Sequence, residues 1–178
     1  GSGRTRDLRS CPPVVSSGCG DGGGAMGNAA RLVHALEKAG LAAIWCDDVG
    51  RVEWLKLLLN VAINPVCAIA GVRNGALLEI PELWEQGLAA MSEAASVARA
   101  SGVDLGDVDL ADHLRKVAEA TAENRCSMLQ DVMAGRATES DSLCGAVVER
   151  GEAVGIPTPA NQALHSHVKV IERSPEFS

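Results

Sequence analysis

One amine and two amides recur at four-residue spacing in an otherwise apolar stretch. Lys56, Asn60 and Asn64 fall in the segment WLKLLLNVAINP, which runs from Trp54 to Pro65. Positions four apart lie on nearly the same face of an α-helix, so these side chains should project as one polar stripe. A helix this apolar is expected to be buried, and buried polar groups need a partner in protein, water or ligand.

The chemistry open to this stripe is that of a general acid. A lysine ammonium that is partly removed from water has a lowered pKa and can give a proton to a developing oxyanion. Against this, a lone lysine in an apolar helix ordinarily extends its ammonium to solvent. Two asparagines on the same face are uncommon in a buried helix, so the functional and the structural interpretation both remain open.

The elements that must position this stripe are predicted to be helices. The helix that carries it is expected from Val52 to Ala70, with Pro65 kinking it or marking a disrupted turn. Leu41–Trp45 is short and apolar, as in a strand. Thr138 is expected to cap a helix, with an acidic residue three positions on as a variant of the capping box. The other predicted helices cover residues 29–39, 81–100, 109–122, 127–133, 138–154 and 160–171.

The composition narrows the class of protein. With 178 residues, of which 47% are apolar, the chain suits one domain with a real core, or one domain plus a tail. Aromatic residues make up only 2%, so Leu, Ala and Val must fill the interior, which favours close-packed helices. A net charge of −7 argues against a nucleic-acid surface. Because neither a secretory signal nor a run of 18 apolar residues is visible, no membrane helix is predicted.

The six cysteines and four histidines show no metal-binding spacing. No two cysteines form a CxxC pair, and no histidine stands at ligand spacing from a cysteine or carboxylate, so no metal site is predicted. Cys67 and Cys144 lie in apolar helical stretches and are expected to be reduced core thiols. Reduced thiols favour an intracellular, cytoplasmic setting. His165 and His167 are expected on the solvated surface.

The first 27 residues are rich in Gly, Ser, Pro and Arg and are predicted to be a flexible segment. Within them, Gly18–Gly23 matches the G-x-G-x-x-G pattern of dinucleotide-binding loops. That loop needs a buried strand before it, and Pro12–Ser17 is too short and too polar to form one. The residues after Asp48 predict helices rather than further parallel strands, which favours a linker. The chain begins with Gly1 rather than Met, as expected of a fragment of a longer protein.

Several short motifs keep their order and mutual spacing across most of residues 41–165. They are WxKLxxNxxINP at 54–65, NG at 74–75, ATAEN at 120–124, SMLQD at 127–131, RxTE at 136–139 and GIxxPxN at 155–161. In this combination, which is far more specific than any single motif, the chain resembles the C-terminal domain of the ketopantoate reductase (2-dehydropantoate 2-reductase) family.

The resemblance implies an all-α fold. In this family a helical bundle, like the C-terminal domains of 6-phosphogluconate dehydrogenase-like reductases, supplies the substrate side of a cleft, and an N-terminal Rossmann domain holds the cofactor. Residues 51–173 would be the helical domain and residues 28–50 a remnant of the passage into it, while the Rossmann domain is missing from this chain. Members of the family reduce the ketone of ketopantoate with NADPH to give pantoate, a precursor of vitamin B5.

The same resemblance implies roles for individual residues. Lys56 falls on the family's catalytic lysine, which donates a proton or a strong hydrogen bond to the carbonyl oxygen. Glu139 falls on the second key residue, a glutamate that orients substrate and lysine and helps to hold the cofactor. The positions that bind the hydroxyl and carboxylate of the substrate fall on Asn60, Asn64, Asn74 and Ser127.

Three of these residues also suit a purely structural role. Glu139 follows Thr138 at the start of a predicted helix, where a carboxylate ordinarily interacts with the helix dipole. Ser127 would equally suit a helix N-cap. Asn74 precedes Gly75 and would equally suit a turn.

The resemblance also leads to expectations about binding partners and about the activity of this chain by itself. Without a coenzyme domain, the chain is not expected to bind NADP or to turn over substrate. A homodimer, or docking to a Rossmann domain, is expected through an exposed apolar patch. Two alternatives remain open: a non-catalytic oligomerisation or binding module derived from such a reductase, and a related hydroxyacid dehydrogenase that uses another 2-keto acid.

Overall fold

The computed structural model describes residues 14–15, 44–45 and 49–174. The chain divides into two compact units, residues 1–52 and 53–178, which are described separately. Several features expected from the sequence lie outside the described residues. They are the predicted helix at 29–39, most of the passage at 28–50, the Gly18–Gly23 loop, and Cys11, Cys19, His34 and Cys46.

In the first unit two short strands pair in parallel. They are β1 (Val14–Val15) and β2 (Ile44–Trp45), with Val14 opposite Ile44 and Val15 opposite Trp45. β2 falls in the predicted strand segment. β1 differs from the expectation that residues 12–17 form no strand, since two β-branched valines suffice for a short ladder. Two residues are still far shorter than the buried strand that precedes a dinucleotide-binding loop.

The second unit is helical, which confirms the predicted fold class. Two predicted helices have the bounds that the sequence indicated, Pro81–Ala100 and Ser127–Met133. The complete set in chain order is α1 (Val49–Ala70), α2 (Ala76–Glu79), α3 (Pro81–Ala100), α4 (Leu110–Ala120), α5 (Ser127–Met133), a π-helical turn (Asp141–Gly145), α6 (Ala146–Val154) and α7 (Pro159–Arg173).

The helix that carries the polar stripe, α1, starts three residues earlier than predicted and continues through Pro65 to Ala70. The proline lacks an N–H, so the carbonyl of Val61 loses its usual partner in the helix, yet the helix does not end there. Residues 61–68 are all buried. Burial on every side of this stretch explains why packing can hold the helix together around the proline.

One helical span in the described residues, Gly50–Ala70, is long and apolar enough by length and composition to cross a membrane. The span contains no uninterrupted run of 18 apolar residues and qualifies because averaging over the helix tolerates its few polar residues. Half of the span is buried among the other helices. A core helix meets the same criterion, so this composition is weak evidence for a membrane segment.

Close contact between α1 and α3 organises the core. A Cβ added at Gly87 would lie 2.8 Å from the carbonyl oxygen of Ala62, so only a glycine allows this approach. The inner face of α3 is built largely from small residues, which suits close helix packing in a chain with few aromatics. Its buried members are Gly87, Ala90, Met91, Ala94, Ala95, Val97 and Ala98.

A polar contact fixes the start of α7 on α3. The carboxylate of Glu93 accepts hydrogen bonds from the backbone N–H of Ala160 at 2.8 Å and of Asn161 at 3.0 Å. The Asn161 amide donates to the carbonyl of Ala90 and to Glu93, both at 2.9 Å, and the residue is fully buried. Orphan N–H groups at a helix start are thus satisfied from a neighbouring helix. Asn161 belongs to the GIxxPxN motif, so this part of the motif serves packing.

Candidate functional site

The polar stripe of α1 passes from solvent into the core. Lys56 is exposed, Asn60 is half-buried, and Asn64 is buried with 8% of its surface exposed. Of the two interpretations left open for Lys56, the structure thus has the one in which the ammonium extends to solvent. The ammonium has no hydrogen bond or ion pair to any residue that the structure describes. Nearby on α1, the ring of Trp54 lies 5.3 Å from the guanidinium of Arg150, so α6 supports this part of the helix.

The inner end of the stripe contacts the start of α5. The carbonyl oxygen of Asn64 accepts a hydrogen bond from the Cys126 thiol at 3.5 Å, and the sulfur accepts one from the N–H of Leu129 at 3.4 Å. Cys126 is therefore the N-cap of α5, and the structural alternative that assigned this role to Ser127 is wrong. Ser127 follows as the first helical residue, with an exposed side chain.

The thiol of Cys126 also interacts with a second buried thiol, that of Cys67. A hydrogen bond from Cys67 lowers the pKa of Cys126, and the same contact together with burial raises the pKa of Cys67. Burial raises the pKa of Cys144 to about 12. Cys67, Cys126 and Cys144 are all buried and free, which confirms the prediction of reduced core thiols for the first and last of them.

Asn74 holds a turn against the segment after α4. Its backbone N–H donates to the carbonyl of Asn124 at 3.0 Å, and its side-chain amide donates to the Thr121 hydroxyl at 3.0 Å. Gly75 donates to the carbonyl of Ala122, which a Cβ at Gly75 would approach to 3.1 Å. Asn74 thus has the turn role that the sequence left open. Its Oδ1 is buried and has no partner in the described part of the chain, so one acceptor remains.

Glu139 is exposed, and its carboxylate makes no hydrogen bond with the residues placed by the structure. Its backbone carbonyl accepts from the N–H of Leu143 at 3.0 Å. Glu139 lies just before the π-helical turn Asp141–Gly145, and Leu143 lies within it. π-Helical turns inside helices occur frequently at functional sites. Glu139 is therefore carried by an irregular helix start with its side chain free for another partner.

Thr138 does not cap this helix, so that prediction is wrong. Its hydroxyl donates to Glu172 Oε1 at 2.7 Å, and its backbone N–H donates to the same oxygen at 2.8 Å. The hydroxyl oxygen also accepts from the N–H of Ser140 at 3.2 Å. Ser140 takes the position before the π-helical turn without a side-chain cap. A contact with α7 has replaced the local cap that the sequence suggested.

One histidine of the C-terminal pair is not simply solvated. His165 is half-buried, and its Nε2 lies 2.9 Å from Asp141 Oδ1, whereas His167 is exposed. The two carboxylate oxygens of Asp141 are shared between His165 and Lys169, and the Lys169 hydrogen bond is the main cause that lowers the pKa of Asp141. Among the described residues no group of three or more His, Cys, Asp or Glu side chains is arranged to hold a metal ion.

A cleft of about 270 Å³ lies beside the segment that leads to Glu139. None of the residues predicted for the site lines it, so it does not coincide with the stripe of α1. The lining combines apolar side chains with two guanidinium groups and a carboxylate. Its residues are Val132, Gly135, Arg136, Ala137, Ile171, Glu172 and Arg173.

The predicted site residues thus fall into two groups. Asn64, Ser127 and Asn74 belong to one packed neighbourhood, where the inner half of α1 and the 74–75 turn contact the segment 121–127. The side chains of Lys56, Asn60 and Glu139 make no hydrogen bond or ion pair to that neighbourhood or to each other in the described residues. Lys56 and Glu139, the two charged candidates, are both exposed, as required of groups that meet a ligand from outside.

Two residues that support the site were missed from the sequence. Cysteine is not a usual N-cap, so nothing in the motif distinguished Cys126 from the serine that follows it. Glu172 lies 34 residues from Thr138, and a lone glutamate near a helix end carries no signal of a distant partner. Only the tertiary structure could have found either contact.

The pattern of the family described as "Ketopantoate reductase PanE/ApbA C terminal" matches residues 48–172. A 2-dehydropantoate 2-reductase of Archaeoglobus fulgidus is 40% identical over 146 residues, which are 82% of this chain and 49% of that protein. A 2-dehydropantoate 2-reductase of Vibrio cholerae is 40% identical over 130 residues, 73% of this chain and 44% of that protein. The chain therefore spans about half the length of the curated relatives it matches.

Solved structures agree with the sequence relatives. A PanE/ApbA family ketopantoate reductase from Ralstonia eutropha JMP134 is similar with a TM-score of 0.78 at 35% identity, covering 89% of this chain and 50% of that one. A D-mandelate dehydrogenase in complex with NADH is similar with a TM-score of 0.76 at 26% identity, covering 85% of this chain and 52% of that one. The fold of this chain is thus similar to that of two enzymes with different names.

Proposed function

This chain belongs to the ketopantoate reductase family, as its helical C-terminal domain, and from that premise we propose that it is the substrate-binding and catalytic half of an NADPH-dependent ketopantoate reductase. The proposal extends to the pathway, pantothenate biosynthesis, and to a cytoplasmic location. The domain would comprise residues 51–173, preceded by the passage at 28–50. A Rossmann domain, as a separate part, would hold the coenzyme.

The observation that carries this proposal is the state of Lys56. The residue sits on an apolar helix, one turn before half-buried Asn60, and its ammonium is exposed without a partner among the described side chains. A lysine held by an ion pair would have to break that pair before it could act on a substrate. Lys56 has no such pair to break among the described residues, so its ammonium is available to a carbonyl oxygen that arrives from the exposed side of α1.

The chemistry follows from where charge develops. NADPH, when bound, supplies the hydride that adds to the carbonyl carbon. As the C=O π bond breaks, negative charge forms on oxygen, and the Lys56 ammonium stabilises it and transfers a proton to give the hydroxyl. Glu139 is exposed and unpaired in the described residues, so its carboxylate fits a hydrogen bond from a coenzyme hydroxyl or from the Lys56 ammonium. Solvent returns the proton to the lysine after product leaves.

The remaining candidates would hold the substrate in place. Asn60 and Asn64 follow Lys56 along one face of α1, which suits contacts to a hydroxyl and a carboxylate next to the ketone. Asn74 Oδ1 is a buried acceptor without a described partner, and it suits a hydroxyl donor. Ser127 has an exposed hydroxyl at the first turn of α5, where a helix start favours an anion.

A chimaera tests this function directly. The half of the Archaeoglobus fulgidus relative that this chain does not match is fused ahead of residues 28–178, and NADPH oxidation is followed with ketopantoate. We expect turnover by the chimaera and none by the 178-residue chain alone. Lys56→Ala should lower kcat/KM at least about 100-fold, the usual loss when a donor to a developing oxyanion is removed. Glu139→Gln should also lower it.

The matched control is Lys116→Ala, because Lys116 is an exposed lysine whose partner is Asp112 on the same helix at 2.7 Å. It should leave turnover unchanged. A chimaera that binds NADPH but reduces neither ketopantoate nor any other 2-keto acid would overturn the proposal and favour a non-catalytic module. Steady NADPH oxidation by the chain alone would contradict the requirement for a coenzyme domain.

A second candidate is a reductase of the same type with another 2-keto acid. The likeness to D-mandelate dehydrogenase with NADH supports it, because the helical unit is shared. The same chimaera decides between them when it is given ketopantoate and an aromatic 2-keto acid in parallel. A higher kcat/KM for the aromatic acid would show that it, and not ketopantoate, is the better substrate. The role proposed for Lys56 would stay the same.

A further inference from the structure

The segment that carries Glu139 is held by a carboxylate from the last helix. Oε1 of Glu172 accepts from both the N–H and the hydroxyl of Thr138, at 2.8 and 2.7 Å. The Glu172 side chain is only 14% exposed. A single carboxylate oxygen thus fixes the backbone and the side chain of the residue immediately before Glu139, in a place largely shielded from water.

The same carboxylate is connected to the residue on the other side of Glu139. Lys169 donates to Glu172 Oε2 at 2.9 Å and to Asp141 Oδ2 at 2.8 Å. His165 completes the contact, with Nε2 at 2.9 Å from Asp141 Oδ1. Three side chains of α7, one turn apart, therefore hold positions 138 and 141, which bracket Glu139 from both sides.

The side chain of Glu139 is not oriented by polar contacts of its own. Its side chain is exposed and makes no hydrogen bond or ion pair among the described residues, whereas its backbone carbonyl accepts from the N–H of Leu143. Ser140 is fully buried, and a Cβ at Gly145 would lie 3.3 Å from His165 Nε2, so α7 packs tightly against the π-helical turn. The position from which the Glu139 side chain departs is thus set by α7.

We propose that Glu172 is a positioning residue for the reductase reaction, which acts by tethering Thr138 so that Glu139 points at substrate and coenzyme. The inference rests on the role proposed above for Glu139. Its physical basis is that a carboxylate used to orient reacting groups must be held within a fraction of an ångström. The local hydrogen bond at Glu139's two neighbours, from the Ser140 N–H to the Thr138 hydroxyl, joins them only to each other, so the non-local tether of Thr138 supplies that precision.

The tether can be measured on the 178-residue chain without any activity. Hydrogen exchange at residues 138–141 should be faster in Glu172→Ala than in the unmodified chain. It should be slowed again in Glu172→Gln, because the amide oxygen still accepts from Thr138. Ser166→Ala is the matched control, since Ser166 lies exposed on the same helix and bonds only within it. Unchanged exchange in Glu172→Ala would overturn the tether.

The role in the reaction is measured in the chimaera. We expect Glu172→Ala to lower kcat about tenfold, as a small misplacement of an orienting group does, while the affinity for NADPH in the coenzyme half changes less. Glu172→Gln should recover part of kcat. In a Glu139→Gln background, Glu172→Ala should cause no further loss, because its effect passes through Glu139.

A merely structural role predicts a different pattern. Glu172→Ala would then lower kcat by the same factor whether or not Glu139 is present, and this result would overturn the proposal. An unmodified chimaera that binds NADPH but turns over no 2-keto acid would instead overturn the proposed function, and the inference with it. An active unmodified chimaera whose kcat is unaffected by Glu172→Ala would overturn the inference alone.

Discussion

The junction of α3 with α7 and the outer face of α1 differ in whether their polar side chains have partners within the protein. At the junction, Asn161 is fully buried, and its amide nitrogen and the Glu93 carboxylate are committed to hydrogen bonds within the protein, whereas Oδ1 of Asn161 has no partner among the described residues. On α1, Lys56 stands exposed on an apolar helix without a partner in the described residues. A polar group that is satisfied internally serves folding, whereas one left without an internal partner is available to a ligand.

The first way to break this comparison is to remove the buried group. Asn161→Ala should lower the free energy of unfolding by about 3 kcal/mol, because it removes a buried side chain bonded to a carboxylate and to the Ala90 carbonyl and leaves a cavity. Urea unfolding followed by circular dichroism measures this change. Gln162→Ala, at the next and exposed position of the same helix, is the matched control and should change stability little. A loss below 1 kcal/mol for Asn161→Ala would contradict the assigned role.

This part of the fold shows what the sequence can predict. The bounds of α3 followed from Pro81 at its first position and from Ser101-Gly102 after its end, which are strong local signals. The end of α6 followed in the same way from Gly155, whose positive φ of 71° suits glycine. Helix ends that depend on local residue types could therefore be predicted from the sequence.

The remaining features depend on tertiary contacts. The Thr138 cap was predicted from a local pattern, but Glu172 competes for the hydroxyl from 34 residues away. The sequence left open whether Lys56 is buried or exposed, because an apolar composition indicates burial of a helix as a whole and not of each face. The types and order of the candidate site residues could be predicted, whereas their burial and their partners could not.

The second prediction concerns the exposed carboxylate of Asp141 and its two half-buried partners, His165 and Lys169. Hydrogen bonds from Lys169 and His165 hold the pKa of Asp141 below its usual range. Since the folded pKa lies below that of the unfolded chain, about 4, the stabilisation is present above pH 4 and is lost as pH falls through the folded value. Asp141→Asn should therefore be less stable than the unmodified chain at pH 7, by much less than Asn161→Ala, and this deficit should shrink between pH 7 and about pH 2.

Urea midpoints at both pH values measure this difference, with Asp107→Asn as the control, because Asp107 is exposed and has no partner among the described residues. A deficit of Asp141→Asn that persists at about pH 2 would show that the side chain stabilises the fold by something other than its charge. The contacts of Asp141 would then serve folding in the same way as those of Asn161 at the junction of α3 with α7.

The smallest expected effect is the sharpest test of the comparison. Lys56→Met keeps the length of the side chain and the helix propensity but removes the charge, so stability should change by less than about 0.5 kcal/mol. Lys116→Met should cost a similar amount or slightly more, because it breaks an exposed pair with Asp112. Urea unfolding of both variants measures these changes.

A loss above about 1 kcal/mol for Lys56→Met would mean that the ammonium has a structural partner. The collapse of turnover expected for Lys56→Ala in the chimaera could then reflect misfolding, and the lysine would resemble Asn161. A stability close to that of the unmodified chain separates the two regions cleanly. The apolar helix would then tolerate Lys56 without needing it, and the reason for an unpaired ammonium at this position would have to be found in the ligand it meets.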